Sequence, residues 1–199
     1  MSKILCVIAT PKPVEASYTL KMAEKFLEEY KKNNPSDEVS VLNLYNEDLR
    51  PLSANDLNDL FTNPTAEIKK YVNDFVTYDK YIIAAPLWNL STPAILKMYI
   101  DYLLVPGVTF KYTENGAVGL LADKGKKVLF FAARGGYYGE EPYSSFEYGE
   151  KYLRTITSFI GLTDFTAVAL EKTNMLPQEE VNKELEKKYT EIEKLAKEF

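Results

Sequence analysis

Residues 81–103 read YIIAAPLWNLSTPAILKMYIDYL, and the way this stretch divides decides the fold. Residues 81–85 are a short apolar run rich in strand formers, and the run stops at Pro86, which has no N–H to give to a ladder. Residues 89–91 make a polar turn. Thr92 and Pro93 then supply the cap and first-turn proline of a helix with Ile95, Tyr99, Tyr102 and Leu103 on one face. Strand, turn and helix in this order are half of a βαβ unit, whose ligand sits beyond the carboxyl end of the strand, where backbone N–H groups are free. The turn holds the chain's one tryptophan, Trp88, beside the amide of Asn89. That pair suits a flat heteroaromatic ligand, and it equally suits a packed indole next to an ordinary turn former. The remaining loops decide between them.

The chain has 199 residues and no Gly/Ser-rich or Pro-rich divider, so a single domain over 1–199 is expected. Lys plus Arg number 24 and Asp plus Glu 29, a net charge of −5, with the charges spread along helical segments. This argues against a nucleic-acid or anionic-membrane surface. The lone Cys6 lies in an apolar strand and reads as packing. No secretory signal and no run of 18 apolar residues is present, so a cytoplasmic location is expected. Histidine is absent, which removes Ser-His-Asp and Cys-His catalysis and His-ligated zinc; no metal is expected. An enzyme built this way needs a cofactor to carry its chemistry.

Outward from residues 81–103, the apolar run 3–9 (KILCVIA) has the pattern of a central parallel strand buried on both faces. Its loop, TPKPVEASYT, contains no glycine and therefore neither the dinucleotide fingerprint nor a Walker loop. It offers hydroxyls instead: Thr10, Ser17 and Thr19, with Ser17 near the start of a helix carrying Leu20, Ala23, Phe26, Leu27 and Tyr30 inward. Hydroxyls at a helix N-terminus form a phosphate cradle, or simply a cap. Residues 38–44 read as the second strand. An irregular stretch with room for a short helix follows, and a helix opens at Pro64. FKYTENGAVGLL reads as a hairpin turning at Asn115-Gly116. Residues 127–133 are the fourth strand, followed by Arg134-Gly135-Gly136, where two glycines allow close backbone approach to a ligand. A helix from about residue 142 to 159 is expected to turn Phe146, Leu153, Ile156 and Phe159 inward. Residues 164–170 are the fifth strand, and a long helix from Pro177 closes the chain. The class is α/β, a doubly wound five-stranded parallel sheet of order 2-1-3-4-5, with a hairpin arm after the third helix.

In that order the hydroxyl loop, residues 86–90 and Gly135-Gly136 meet at one crevice. Together they describe a mononucleotide with a large planar head, FMN rather than NAD in the primary site. PLWNLSTPAILKMYID (86–101), GVTFKYTENGAVGLL (107–121) and ARGGYYG (133–139) resemble the signature stretches of the FMN-dependent NAD(P)H azoreductases, relatives of the NAD(P)H:quinone reductases with a flavodoxin-like fold. The resemblance implies a homodimer with noncovalent FMN at the interface, NADH or NADPH as co-substrate, and ping-pong two-electron reduction of quinones and azo compounds. It places Ser17, Tyr18 and Thr19 on the phosphate with Thr10 beside them, and Pro86, Leu87, Trp88, Asn89 and Leu90 along the isoalloxazine. Arg134, Gly135, Gly136 and Tyr138 fall at the pyrimidine end. The Gly135 and Gly136 amides with the Tyr138 or Tyr137 hydroxyl are the expected catalytic donors, and Phe110 and Tyr112 on the arm are expected to wall a partner's pocket for small aromatic substrates. A flavodoxin-type electron carrier and a non-catalytic interaction subunit are the alternative readings.

Overall fold

Short apolar runs alternating with amphipathic helices can bury both faces of a sheet only by winding helices over each side. The computed structural model, which describes residues 1–122 and 125–199, takes that solution. Its elements are β1 (Lys3–Ile8), α1 (Tyr18–Asn33), β2 (Glu38–Asn43), α2 (Ala54–Asp59), α3 (Ala66–Phe75), β3 (Lys80–Ala84), α4 (Ala94–Leu103), β4 (Phe110–Thr113), β5 (Gly116–Gly119), β6 (Lys127–Ala133), α5 (Gly149–Phe159), β7 (Asp164–Leu170) and α6 (Gln178–Glu198). The main sheet is parallel throughout, in the order β2-β1-β3-β6-β7. With the two hairpin strands left out of the count this is the expected order 2-1-3-4-5. The short α2, closed by a capping box between Ser53 and Asp56, shifts the arm to a place after the fourth α-helix.

Alternate side chains of each strand enter different cores, as the period of two requires. From β1 and β6, Leu5, Val7, Val128 and Phe130 face the layer of α3, α4 and α5, while Ile4, Cys6, Leu129 and Phe131 face α1 and α6. Every crossover therefore returns to the same sheet edge. That edge, the carboxyl ends of β1, β3, β6 and β7, is where the site forms.

One helix differs from expectation. Residues Tyr143–Phe146 make a 3-10 turn and α5 begins only at Gly149. The Glu147 carboxylate accepts from the Glu150 N–H at 2.9 Å and so fixes the helix start, and a side chain at position 149 would meet Leu87 Cδ1 at 2.9 Å. Phe146 therefore falls before the helix, and Phe159 is its last residue; neither turns inward, and they stay 46% and 38% exposed.

Candidate functional site

A cleft of about 190 Å³ opens at the carboxyl edge of the sheet. One end is built by the loop from β1 into α1, which contributes Thr10, Lys12, Ala16, Ser17, Tyr18 and Thr19. Ser17 caps α1, its Oγ accepting from the Leu20 N–H at 3.3 Å. Thr19 Oγ1 accepts from the Ala133 N–H at 3.0 Å, tying the start of α1 to the end of β6, and Thr10 Oγ1 accepts from the Lys12 N–H at 3.4 Å. A hydroxyl carries one hydrogen and two lone pairs. In all three the backbone engages a lone pair, and the hydrogen remains to be given to something in the cleft. The first-turn amides of α1 likewise lack an intrahelical acceptor, and the helix dipole adds about half a positive charge there. Donors without acceptors, next to Lys12, make an anion site.

The middle of the wall is apolar and comes from Pro86, Leu87 and Trp88. The Leu87 N–H donates to the Ala133 carbonyl at 3.1 Å, so the loop after β3 keeps its pairing to β6 past the proline. Trp88 and Ser91 then exchange two backbone hydrogen bonds, at 2.9 and 3.0 Å. The turn they close has both central residues left-handed, Asn89 at φ 49° and Leu90 at φ 69°. Asparagine tolerates this conformation, but a leucine there costs about 1–2 kcal/mol. Leu90 is also 40% exposed. Two local rules broken at one residue mark a turn kept for what it positions. The consequence is that Trp88 sits at the mouth, while Asn89 and Leu90 form the tip and lie outside the cleft wall.

The far end is lined by Ala133 at the end of β6, by Gly135 from the loop after it, and by Thr173 and Asn174 from the loop after β7. The carbonyls of Arg134, Gly135 and Gly136 accept from the N–H groups of Thr173, Asn174 and Lys172 at 3.1, 3.1 and 2.8 Å, which stitches the two loops together. A Cβ on Gly135 would lie 2.6 Å from Asn174 Nδ2; only glycine allows the contact. Thr173, Asn174 and Ala16 are wall residues that the sequence reading did not single out. For Thr173 and Asn174 the available signal was positional, a hydroxyl and an amide directly after the fifth parallel strand.

The other expected site residues lie around the cleft rather than in its wall. Arg134 is buried, with its guanidinium held by Glu147, Glu150 and Glu171. A Cβ on Gly136 would lie 3.1 Å from the Tyr138 ring, and the Tyr138 N–H donates to Glu171 Oε1 at 3.0 Å. The Tyr137 ring lies under the Lys172 ammonium, 4.2 Å from it, and burial followed by a hydrogen bond to Glu140 raises the phenol above its ordinary pKa. Phe110 and Tyr112 are at the opposite end of the sheet. The arm is joined there to the last turn of α5, the Leu121 N–H donating to the Ile160 carbonyl at 2.9 Å, and α5 with its 11 residues spans about 16 Å. Phe110 is buried within its own chain against Phe159 and Tyr112, whereas Tyr112 is 67% exposed. Burial pushes the Cys6 thiol up to about 12, so it stays protonated and inert.

An anion cradle, a flat apolar flank and a backbone-lined end in one cleft fit a phosphorylated planar molecule. Few titratable side chains reach the wall, so the cleft is built to hold a reactive group rather than to be one. A small, wholly apolar cavity of about 30 Å³ between the sheet and α3, α4 and α5 is a packing void. Among the described residues no helix is long and apolar enough to cross a membrane.

Comparison with known proteins agrees with this construction. A family model described as a flavodoxin-like fold matches residues 2–196. An FMN-dependent NADH:quinone oxidoreductase of Clostridium beijerinckii is 46% identical and one of Caldicellulosiruptor saccharolyticus 43% identical, both with 100% of each chain covered. Among solved structures, an azoreductase from Bacillus anthracis superposes with a TM-score of 0.93 at 37% identity over 100% of both chains. An FMN-dependent NADH-azoreductase from Bacillus anthracis, solved in complex with FMN, gives 0.88 at 32% identity over 98% of both chains.

Proposed function

Because this chain belongs to the family of FMN-dependent NADH:quinone oxidoreductases and azoreductases, of flavodoxin-like fold, we propose that it holds FMN noncovalently in the cleft and reduces quinones and azo compounds with NADH. The observation that carries this reading is the donor set at the start of α1: three hydroxyls whose backbone-facing lone pairs are engaged and whose hydrogens are not. Ser17 and Thr19, with the Tyr18 and Thr19 amides, Thr10 and Lys12, hold the phosphate. Leu87 and Trp88 cover one flank of the ring. Gly135 and Asn174 meet its polar edge.

When bound, FMN would supply two-electron redox chemistry between NADH and a quinone or azo acceptor. The chain's own task would be to orient the ring against Leu87 and Trp88 and to exclude water from that flank. Backbone donors near Gly135 favour negative charge on the ring edge, which lowers the barrier for reduction. Asn89, Leu90, Gly136, Tyr137 and Tyr138 act one step removed, holding the turn and the glycine loop in shape.

The protein works as a homodimer in this proposal. Leu90, Tyr143, Phe146 and Tyr148 leave apolar surface near the cleft mouth, and Tyr112 and Val118 leave more on the arm at the other end. Exposed patches of this kind are covered in an assembly. A partner's arm would bring its Tyr112 to the open ring face and wall a pocket for flat aromatic substrates. The test is the visible spectrum of the purified protein after incubation with FMN, followed by NADH consumption with menadione and with an azo dye. One flavin per chain and acceptor-dependent NADH oxidation are expected. A colourless protein, or flavin uptake without any NADH oxidation, would overturn the reading; the second outcome would point to a carrier.

A further inference from the structure

The cleft walls come from loops far apart in sequence, and one buried side chain touches the supports of most of them. Arg134 is 6% exposed. Its Nη1 lies 3.2 Å from Glu171 Oε1, and its Nη2 lies 2.9 Å from Glu150 Oε2 and 3.5 Å from Glu147 Oε1. Glu171 belongs to one support, and Glu147 and Glu150 to a second, the start of α5. Glu171 opens the loop that carries Thr173 and Asn174, and it also accepts from the Tyr138 N–H at 3.0 Å, closing the glycine loop. Glu147 accepts from the Glu150 N–H at 2.9 and 3.1 Å and from the Lys151 N–H at 3.3 Å, and so sets the first turn of α5. That turn backs the remaining apolar flank: Gly149 abuts Leu87, and the Tyr148 N–H donates to the Leu90 carbonyl at 2.9 Å.

A cluster of this kind is poorly made for stability alone. Two guanidinium groups face three carboxylates, Arg154 Nη2 lying 2.7 Å from Glu150 Oε1; Arg134 and Glu147 are themselves desolvated, and among the described residues the Arg134 Nε hydrogen has no acceptor. Buried ion clusters of this sort are often no more stable than an apolar replacement, and they are retained where they fix one geometry. We propose that Arg134 is a positioning residue, a single clamp that sets the glycine loop, the Thr173–Asn174 loop and, through α5, the Leu87–Trp88 flank to the spacing that FMN requires. This rests on reading the cleft as the FMN site. A planar fork with donors on both sides can reach all three carboxylates, whereas an ammonium cannot.

The test compares R134Q, R134K and E171Q with wild type. The FMN dissociation constant comes from flavin fluorescence, the visible absorption and circular dichroism of the bound flavin report how rigidly it is held, and the melting temperature is recorded separately. R134Q is expected to raise the dissociation constant by at least about tenfold and to blur the flavin spectrum. R134K, which keeps the charge but not the fork, should fail to restore either, and E171Q should shift both in the same direction by less. A folded R134Q with wild-type affinity and spectrum overturns the proposal, as does full rescue by lysine. If R134Q does not fold, E171Q decides, and wild-type values there overturn it. If wild type itself takes up no FMN, the FMN reading falls, and the clamp is judged on the apoprotein by amide hydrogen exchange. Faster exchange at residues 135–138 and 171–174 in E171Q supports it, and unchanged exchange overturns it.

Discussion

Replacing Ser17 by glycine separates the two jobs of that residue, and the structure sets the size of each effect. Ser17 is buried at the start of α1, with extended backbone (φ −132°, ψ 107°), and its Oγ accepts from the Leu20 N–H at 3.3 Å. As a cap it is worth about 1 kcal/mol against alanine, but only a few tenths against glycine, because water reaches the freed amides there. As a phosphate donor it makes a charge-assisted hydrogen bond, worth about 1.5–3 kcal/mol. S17G should therefore melt within about 1–2 °C of wild type, while S17A falls by about 2–4 °C. Both should bind FMN about 10- to 150-fold more weakly. Riboflavin, which has the same ring and no phosphate, should bind wild type and S17G alike. The assay is titration of apoprotein with each flavin, followed by fluorescence quenching. Equal weakening for riboflavin, or unchanged FMN affinity in S17G, would refute the assignment of the phosphate to the start of α1.

Further predictions follow from other parts of the fold. In G119A the new Cβ would lie 2.3 Å from the Gly161 nitrogen, so the arm must lift from α5 at a cost of about 1–3 kcal/mol; melting and sedimentation should show a less stable protein and a weakened assembly, and wild-type values for both would contradict it. The Tyr99 hydroxyl is buried with no hydrogen-bond partner among the described residues, so Y99F should raise the melting temperature by about 2–4 °C, corresponding to about 1 kcal/mol; a lower one would contradict the orphan assignment. The Arg50 guanidinium beside Asp56, then the Ser53 hydroxyl and amide, hold the Asp56 carboxyl well below the usual carboxylate range, and the Tyr71 hydroxyl lowers that of Glu47. Because these folded-state pKa values lie below the unfolded ones, about 4, their stabilisation is present above that pH and is lost as pH falls through the folded values. With no histidine in the chain, no imidazole titration adds a slope between pH 5 and 8. Melting temperature should fall below about pH 4, less steeply in D56N, and an equal slope in D56N would contradict the ion-pair origin.

Much of this architecture was legible before any coordinates, for physical reasons that differ by element. Strands such as 3–8 and 127–133 announce themselves because burial on both faces demands a continuous apolar run, and Asn115-Gly116 marks its hairpin because Gly116 must adopt φ 108°. The start of α5 was not legible: it is set by Gly149 meeting Leu87 and by the Glu147 carboxylate, both tertiary events that periodicity does not encode. The same holds for Arg134. Its partners at 147, 150 and 171 are scattered acidic residues until the fold gathers them, so a guanidinium read as a ligand contact is found behind the wall. Asn174 carried only the positional signal of following the fifth strand; its contact with the cleft depends on the absence of a side chain on Gly135, a tertiary event.

A crystal structure of the FMN-loaded protein tests the central claim most directly. The account predicts the phosphate within hydrogen-bonding distance of Ser17 and Thr19, the ring flanked by Leu87 and Trp88, and its polar edge at Gly135 and Asn174. Flavin density at any other place on the molecule, or the phosphate turned away from the first turn of α1, would contradict it.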